Sequence, residues 1–218
     1  MSTLIIADDH PLFRAALKDV LRQALPESEQ VEASSFAELQ AAVEASPGAA
    51  LVLLDLHMPG AHGFSALLFL TAHHPDVPVL MISANEQDEI IRRAADHGAS
   101  GFVSKSASMD SIGQAISAVA RGDLCFPQTV DLSRPGIGRE ESGVAEALSG
   151  LTPQQFRVAT MISQGLLNKQ IAYELGVTEA TVKAHVTEIF RKLGVHSRTQ
   201  AALKLGQLDL PEVSPVNE

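Results

Sequence analysis

Leu51-Val52-Leu53-Leu54-Asp55-Leu56-His57-Met58-Pro59-Gly60 is the stretch on which the fold turns. Its first four residues close the longest apolar run of the chain, Ala49 to Leu54, which reads as a buried strand ending on an acid. A short uninterrupted apolar run suits a strand covered on both faces. Similar compact segments lie at Leu4 to Ala7, Val77 to Ile82 and Gly101 to Val103, with a weaker strand near Gln30 to Ala33. Amphipathic helices separate them, clearest in Leu12, Phe13, Ala16, Leu17, Val20, Leu21 and Ala24, which recur at three- and four-residue spacing. Five such β-α units imply a doubly wound α/β domain around a five-stranded parallel sheet.

The rest of the chain obeys other rules. Leu124 to Ala147 loses the rhythm, with Pro127, Pro135, Gly136, Gly138 and Gly143 among polar residues, a linker composition. From Leu151 only helices are signalled. Thr152-Pro153 is a cap followed by proline at the first helical position, Asn168, Thr178 and Ser197 can cap three more helices, and Gly176 gives a tight turn between two of them. The expected division is 1–122 for the α/β domain, 123–148 for a linker, 149–210 for a small all-α four-helix domain and 211–218 for a flexible tail.

The 218 residues suffice for two ordinary domains, and 45% hydrophobic with 19% charged residues is the balance of a soluble globular protein. No run approaches the roughly 20 apolar residues of a membrane span, and acids stand where a secretory signal needs a basic segment, so the expected location is cytoplasmic with no membrane partner. The single cysteine, Cys125, can form no internal disulfide. The net charge of -10 is unevenly spread: residues 1–150 carry -11, residues 151–206 carry +4 and the last twelve carry -3. A basic module riding on an acidic one suggests two separate jobs.

Ligands of doubly wound sheets gather at the carboxyl ends of the strands. Asp8 and Asp9 end the first strand, Asp55 the third, Ser83 follows the fourth and Lys105 the fifth. Clustered carboxylates with a carbonyl suit a hard cation such as Mg²⁺. Once the metal offsets their repulsion, one carboxylate can attack phosphorus, and the metal, Lys105 and Ser83 would stabilise the transferred phosphoryl group. The eight histidines, His73-His74 included, lack paired ligand spacing.

On a helical wheel of Thr178 to Leu193, Val182, Val186, Ile189, Phe190 and Leu193 form one apolar stripe. Ala184, Thr187 and Arg191 point away from it, with Lys183 and His185 flanking. Small and basic residues on the outward face let a helix enter the major groove, while Lys169, Lys192, Arg198 and the helix N-termini can meet phosphates.

Asp8-Asp9, Leu53-Leu54-Asp55-Leu56-His57-Met58-Pro59-Gly60, Ser83-Ala84 and Lys105 resemble the acid pair, phosphoacceptor, switch hydroxyl and lysine of receiver domains, whose fold is flavodoxin-like. Leu151-Thr152-Pro153, Gly165-Leu166-Leu167-Asn168-Lys169-Gln170-Ile171-Ala172 and the run from Thr181 to Arg198 resemble the LuxR-type helix-turn-helix. Together they resemble the NarL/FixJ subfamily of two-component response regulators. The resemblance implies Asp55 as phosphoacceptor, Asp8, Asp9, Asp55 and the backbone carbonyl of His57 as Mg²⁺ ligands, and Phe102 as a switching aromatic. It implies Lys183, Ala184 and Thr187 as base-facing, and a last helix that carries dimer contacts. Its partners would be a sensor histidine kinase, double-stranded DNA, a second copy of the chain on phosphorylation or on DNA, and RNA polymerase. Three positions depart from the pattern: Ser106 follows Lys105 where receivers often place proline, Phe102 replaces the commoner tyrosine, and Gln154-Gln155-Phe156-Arg157 replaces a glutamate-bearing helix start.

An aspartyl-phosphate phosphatase would also place an acid at a strand end, but it needs a second acid two residues later, where this chain has His57, and a cap domain. The expectation is therefore a regulator and not an enzyme. The alternative is a DNA-binding regulator whose receiver serves as a phosphorylation-independent dimerisation or ligand module.

Overall fold

The computed structural model describes residues 2–209; the tail expected at 211–218 lies outside the described residues. Strands β1 (Thr3–Ala7), β2 (Glu29–Ala33), β3 (Leu51–Asp55), β4 (Val79–Ser83) and β5 (Gly101–Ser104) form one parallel sheet in the order β2-β1-β3-β4-β5. Alternation sorts the side chains: Leu4, Ile6, Leu51, Leu53, Leu80, Ile82 and Val103 pack with α1 (Pro11–Ala24) and α5 (Met109–Ala120). Ile5, Ala7, Val52, Leu54, Val79 and Met81 face the opposite way, toward α2 (Phe36–Ala45), α3 (Ser65–His73) and α4 (Asp88–Asp96). β3, inner and apolar on both faces, is buried throughout, whereas β2 is an edge strand with Glu29 and Glu32 outward, the physical reason for its weak sequence signal.

The presumed linker is not free chain. Residues 139–148, inside the stretch read as linker, belong to α6 (Arg139–Ser149), whose Val144 and Leu148 are buried. Two large apolar residues in eleven gave little periodicity, and the helix is fixed by tertiary packing. Ahead of it, the backbone N–H groups of Gly136 and Ile137 donate to Asp96 on α4 at 2.6 and 3.2 Å.

The C-terminal helices are α7 (Pro153–Ser163), α8 (Asn168–Glu174), α9 (Glu179–Leu193) and α10 (Arg198–Leu205), followed by a 3-10 turn, Gly206–Leu208. Thr152, Thr178 and Ser197 cap α7, α9 and α10 as read from sequence, each cap worth about 1 kcal/mol. Asn168 is not a cap: it is the first residue of α8, and its Oδ1 accepts from Arg198 at 3.2 Å. Gln170 Oε1 instead receives the Leu167 N–H at 2.7 Å. Gly176 makes its turn with φ +64, the left-handed region that glycine enters freely.

The two domains share an interface. Phe156 of α7 packs on Phe36 and Phe69, with ring centroids 6.1 and 5.4 Å away. Arg157 reaches the buried Gln40 and, beyond it, Glu44 of α2, each at 2.9 Å. On the other side the buried Arg93 of α4 donates to Glu141 of α6 at 2.8 Å and to the carbonyls of Gln207, Leu208 and Asp209. Leu208 O also accepts from Phe64 N, and Gly63 lies so close that an added Cβ would meet that oxygen.

Candidate functional site

Parallel pairing brings the carboxyl ends of β1, β3, β4 and β5 to one rim. Asp8 and Asp55 are buried there, at 1% and 3% exposure, and Lys105 Nζ bridges them, 2.7 Å from an oxygen of each. Asp9 lies beside Asp8 at the mouth. His10, next in the chain, folds back so that its Nδ1 is 2.6 Å from Asp9 and 3.2 Å from Asp8. Ser83 is fully buried at the end of β4, its Oγ accepting from Asn85 N at 3.1 Å. Sequence reasoning set these acids, the lysine and the serine on one rim. The described geometry brings Asp8, Asp55 and Lys105 into direct contact.

Burial pushes the Asp55 carboxyl above its ordinary range, with the Lys105 ammonium offsetting part of that and the neighbouring Asp8 charge adding to it. Burial works to lower Lys105, but its bonds to Asp55 and Asp8 win and hold the ammonium above its ordinary value. One cation thus serves two buried anions. Oxygen donors from Asp8, Asp9 and Asp55 fit a hard divalent ion, since their ligand atoms and the His10 nitrogen all lie within 4.8 Å of one another.

Two loops flank the rim. Glu86, after β4, accepts from Ser104 and Ser106 on either side of Lys105, at 2.5 and 2.6 Å. Ser106 stands where receivers often carry proline, and its hydroxyl ties the lysine loop to the serine loop. Phe102 is buried in β5, and its N–H donates to Cys125 O at 2.8 Å. The sequence offered no signal for Glu86, whose partners lie about twenty residues away. His10 could have been noticed, because an imidazole directly after an acid pair must sit near it.

In the helical module Val182, Ile189 and Leu193 are buried, and Lys183, Ala184, Thr187 and Arg191 are exposed along α9, with Lys169 exposed on α8. His185 is half-buried. Lys192 does not extend outward: its Nζ donates to Gly150 O and Gln155 Oε1, both at 2.7 Å. Arg198 bonds Leu166 O and Asn168, so these two cations brace the module internally. Docking against the receiver leaves the outward face of α9 open.

The family described as "Response regulator receiver domain" matches residues 4–117, and that described as "Bacterial regulatory proteins, luxR family" matches 149–205. The chain is 38% identical to the glycerol metabolism activator of Pseudomonas putida, over 96% of this chain and 97% of that one. It is 34% identical to the DNA-binding transcriptional activator DevR/DosR of Mycobacterium tuberculosis, over 93% of each. It is 30% identical to the nitrate/nitrite response regulator NarL of Escherichia coli K12, over 94% and 95%. A solved structure of two RcsB dimers bound to two parallel DNAs superposes with TM-score 0.55 at 23% identity, over 94% of this chain and 98% of that one, a likeness of fold.

Proposed function

The chain belongs to the NarL/FixJ subfamily of two-component response regulators, transcription regulators that join a receiver to a LuxR-type DNA-binding module, and on that premise we propose that Asp55 is the switch of this one. A sensor histidine kinase donates the phosphoryl group: the N–P bond of a phosphohistidine breaks as an Asp55 carboxylate oxygen bonds to phosphorus. The observation that carries the reading is the buried Asp55 held 2.7 Å from Lys105, with Asp8 on the same cation. Asp8, Asp9, Asp55 and the His57 carbonyl would hold Mg²⁺, which supplies positive charge against the incoming phosphoryl oxygens.

Lys105 turns from Asp8 toward the new oxygens, and the Ser83 hydroxyl leaves Asn85 N to donate to one of them. Phe102, buried in the strand that carries Lys105, transmits the shift to the β5 face. The outward face of α9 is already exposed, so activation acts on assembly: a second copy joins, and Lys183, Ala184 and Thr187 read bases while Lys169, His185 and Arg191 contact the duplex. Leu203 of α10, 71% exposed, supports that helix as the dimer contact. The protein is a regulator and not an enzyme. It works in the cytoplasm, where its kinase and DNA meet; no described helix is long and apolar enough to cross a membrane.

The test is intact mass with Mg²⁺ and acetyl phosphate, wild type beside Asp55→Asn, with DNA retention and oligomeric state on the same samples. One phosphate on the wild type alone, with dimerisation or tighter DNA binding, is the expected result. DNA binding indifferent to both donor and substitution would instead make the receiver a phosphorylation-independent module.

A further inference from the structure

The donor set at the rim is not all oxygen. The His10 N–H donates to Asp8 Oδ1 at 2.7 Å, closing a turn that swings the imidazole over the acids. Its Nδ1 then lies 2.6 Å from Asp9 Oδ1, 3.2 Å from Asp8 Oδ1 and 4.0 Å from Asp55 Oδ2. Asp9 Oδ1 is shut off from water, and no donor is aligned with it. Asp8 is divided between two neighbours: Oδ2 faces Lys105 and Oδ1 faces His10.

Ligand atoms at about 2.1 Å from a first-row ion stand roughly 3.0 to 4.2 Å apart, from right-angle to opposed. The His10 separations from Asp8 and Asp55 lie in that range, and the contact with Asp9 needs to widen by only a few tenths of an ångström. Mg²⁺ prefers oxygen and keeps its waters, so imidazole adds little for it. Zn²⁺, Co²⁺ and Ni²⁺ favour imidazole, and a nitrogen in a carboxylate site raises their affinity along the usual order of first-row metals.

We propose that His10, with Asp9 and Asp8 Oδ1, makes this rim a second-class metal site that takes a late first-row divalent cation in competition with Mg²⁺. The proposal rests on the reading of the rim as the metal-assisted phosphorylation site. Because His10 meets Asp8 at Oδ1 while Lys105 meets it at Oδ2, the late metal binds with the lysine still on Asp8 Oδ2 and Asp55. The loaded rim is then closed to Mg²⁺ while Asp55 stays engaged by Lys105.

The test is titration of the full chain, without phosphodonor, with Mg²⁺, Zn²⁺ and Co²⁺, comparing wild type with His10→Ala and Asp9→Ala. Calorimetry follows all three ions, and the visible absorption of bound Co²⁺ reports nitrogen ligation. His10→Ala is expected to weaken Zn²⁺ and Co²⁺ by about tenfold or more, since even outer-shell partners of a metal are worth that much. It should also alter the Co²⁺ spectrum and leave Mg²⁺ within about twofold. Asp9→Ala is expected to weaken all three. Unchanged Co²⁺ affinity and spectrum in His10→Ala would overturn the proposal, assigning any late-metal binding to other histidines while Mg²⁺ binding remains intact. Failure of the wild type to bind Mg²⁺ would instead remove the reading on which the proposal rests.

Discussion

Asp55 sits in an environment chosen for reaction and against rest. Burial and the Asp8 charge raise its carboxyl above the ordinary value, and Lys105 offsets only part of this. With a folded pKa above the unfolded one, the native state binds more protons, so stability from this group falls as pH rises from the ordinary carboxylate range through the raised value. Above that raised value the ionised carboxylate therefore weighs against the fold. Asp55→Asn is expected to stabilise the metal-free protein by about 1 to 3 kcal/mol, the range for relieving a poorly compensated buried polar group, and Mg²⁺ should raise the melting temperature of the wild type more than that of the variant. Thermal melts in chelator and in Mg²⁺ check this, and a variant less stable than wild type in chelator would contradict it. The acids, serine and lysine were legible because a strand end fixes where each side chain emerges. Arg157 was legible only as a departure from the family pattern, since its partners Gln40 and Glu44 come from a helix more than a hundred residues earlier.

At the level of elements, the loops after β4 and β5 must move together if Ser83 and Lys105 are to reach one phosphoryl group. Glu86 joins them through Ser104 and Ser106, and those hydroxyls hold its carboxyl below the ordinary value. Each bond is exposed and individually weak, but together they restrict the segment that carries the lysine. Glu86→Ala is expected to slow acetyl-phosphate labelling of Asp55 several-fold with little change in melting temperature, and Glu86→Gln, which can still accept, to recover part of the rate. Labelling as fast as wild type in Glu86→Ala would mean that the loop is held by its backbone alone. The elements themselves were readable where burial imposes a period: β1, β3, β4 and β5 declared themselves by unbroken apolar runs. β2 was faint because an edge strand keeps one polar side, and α6 was missed because only Val144 and Leu148 mark its buried face.

Across the whole molecule the same chain makes one continuous core through both domains, and a histidine stands at the join. His73, at the end of α3, packs against Phe69 at 5.0 Å and Phe156 at 6.1 Å, and its Nε2 is buried without a hydrogen-bond partner. Burial, then the adjacent His74, lowers its pKa; burial also lowers His74, against the opposing pull of Glu44. Arg157 faces the same corner from α7, paired with Glu44. A lowered folded pKa means the docked state binds fewer protons than the open one. Docking is therefore fully supported above the free histidine value of about 6.5 and weakens as pH falls below it. Glu141, on the far side of the interface, is partly buried, which raises its pKa, but His97 and Arg93 overcome this and hold it below its ordinary value. Its contribution is lost only at more acidic pH. Small-angle scattering between pH 8 and 5.5 is expected to show the wild type expanding on acidification, while His73→Phe, which keeps a ring against Phe156 but cannot take a proton, stays compact over most of that window. Equal expansion of both would remove His73 as the source of the sensitivity and leave His74, the other histidine that burial holds below its ordinary value at this corner.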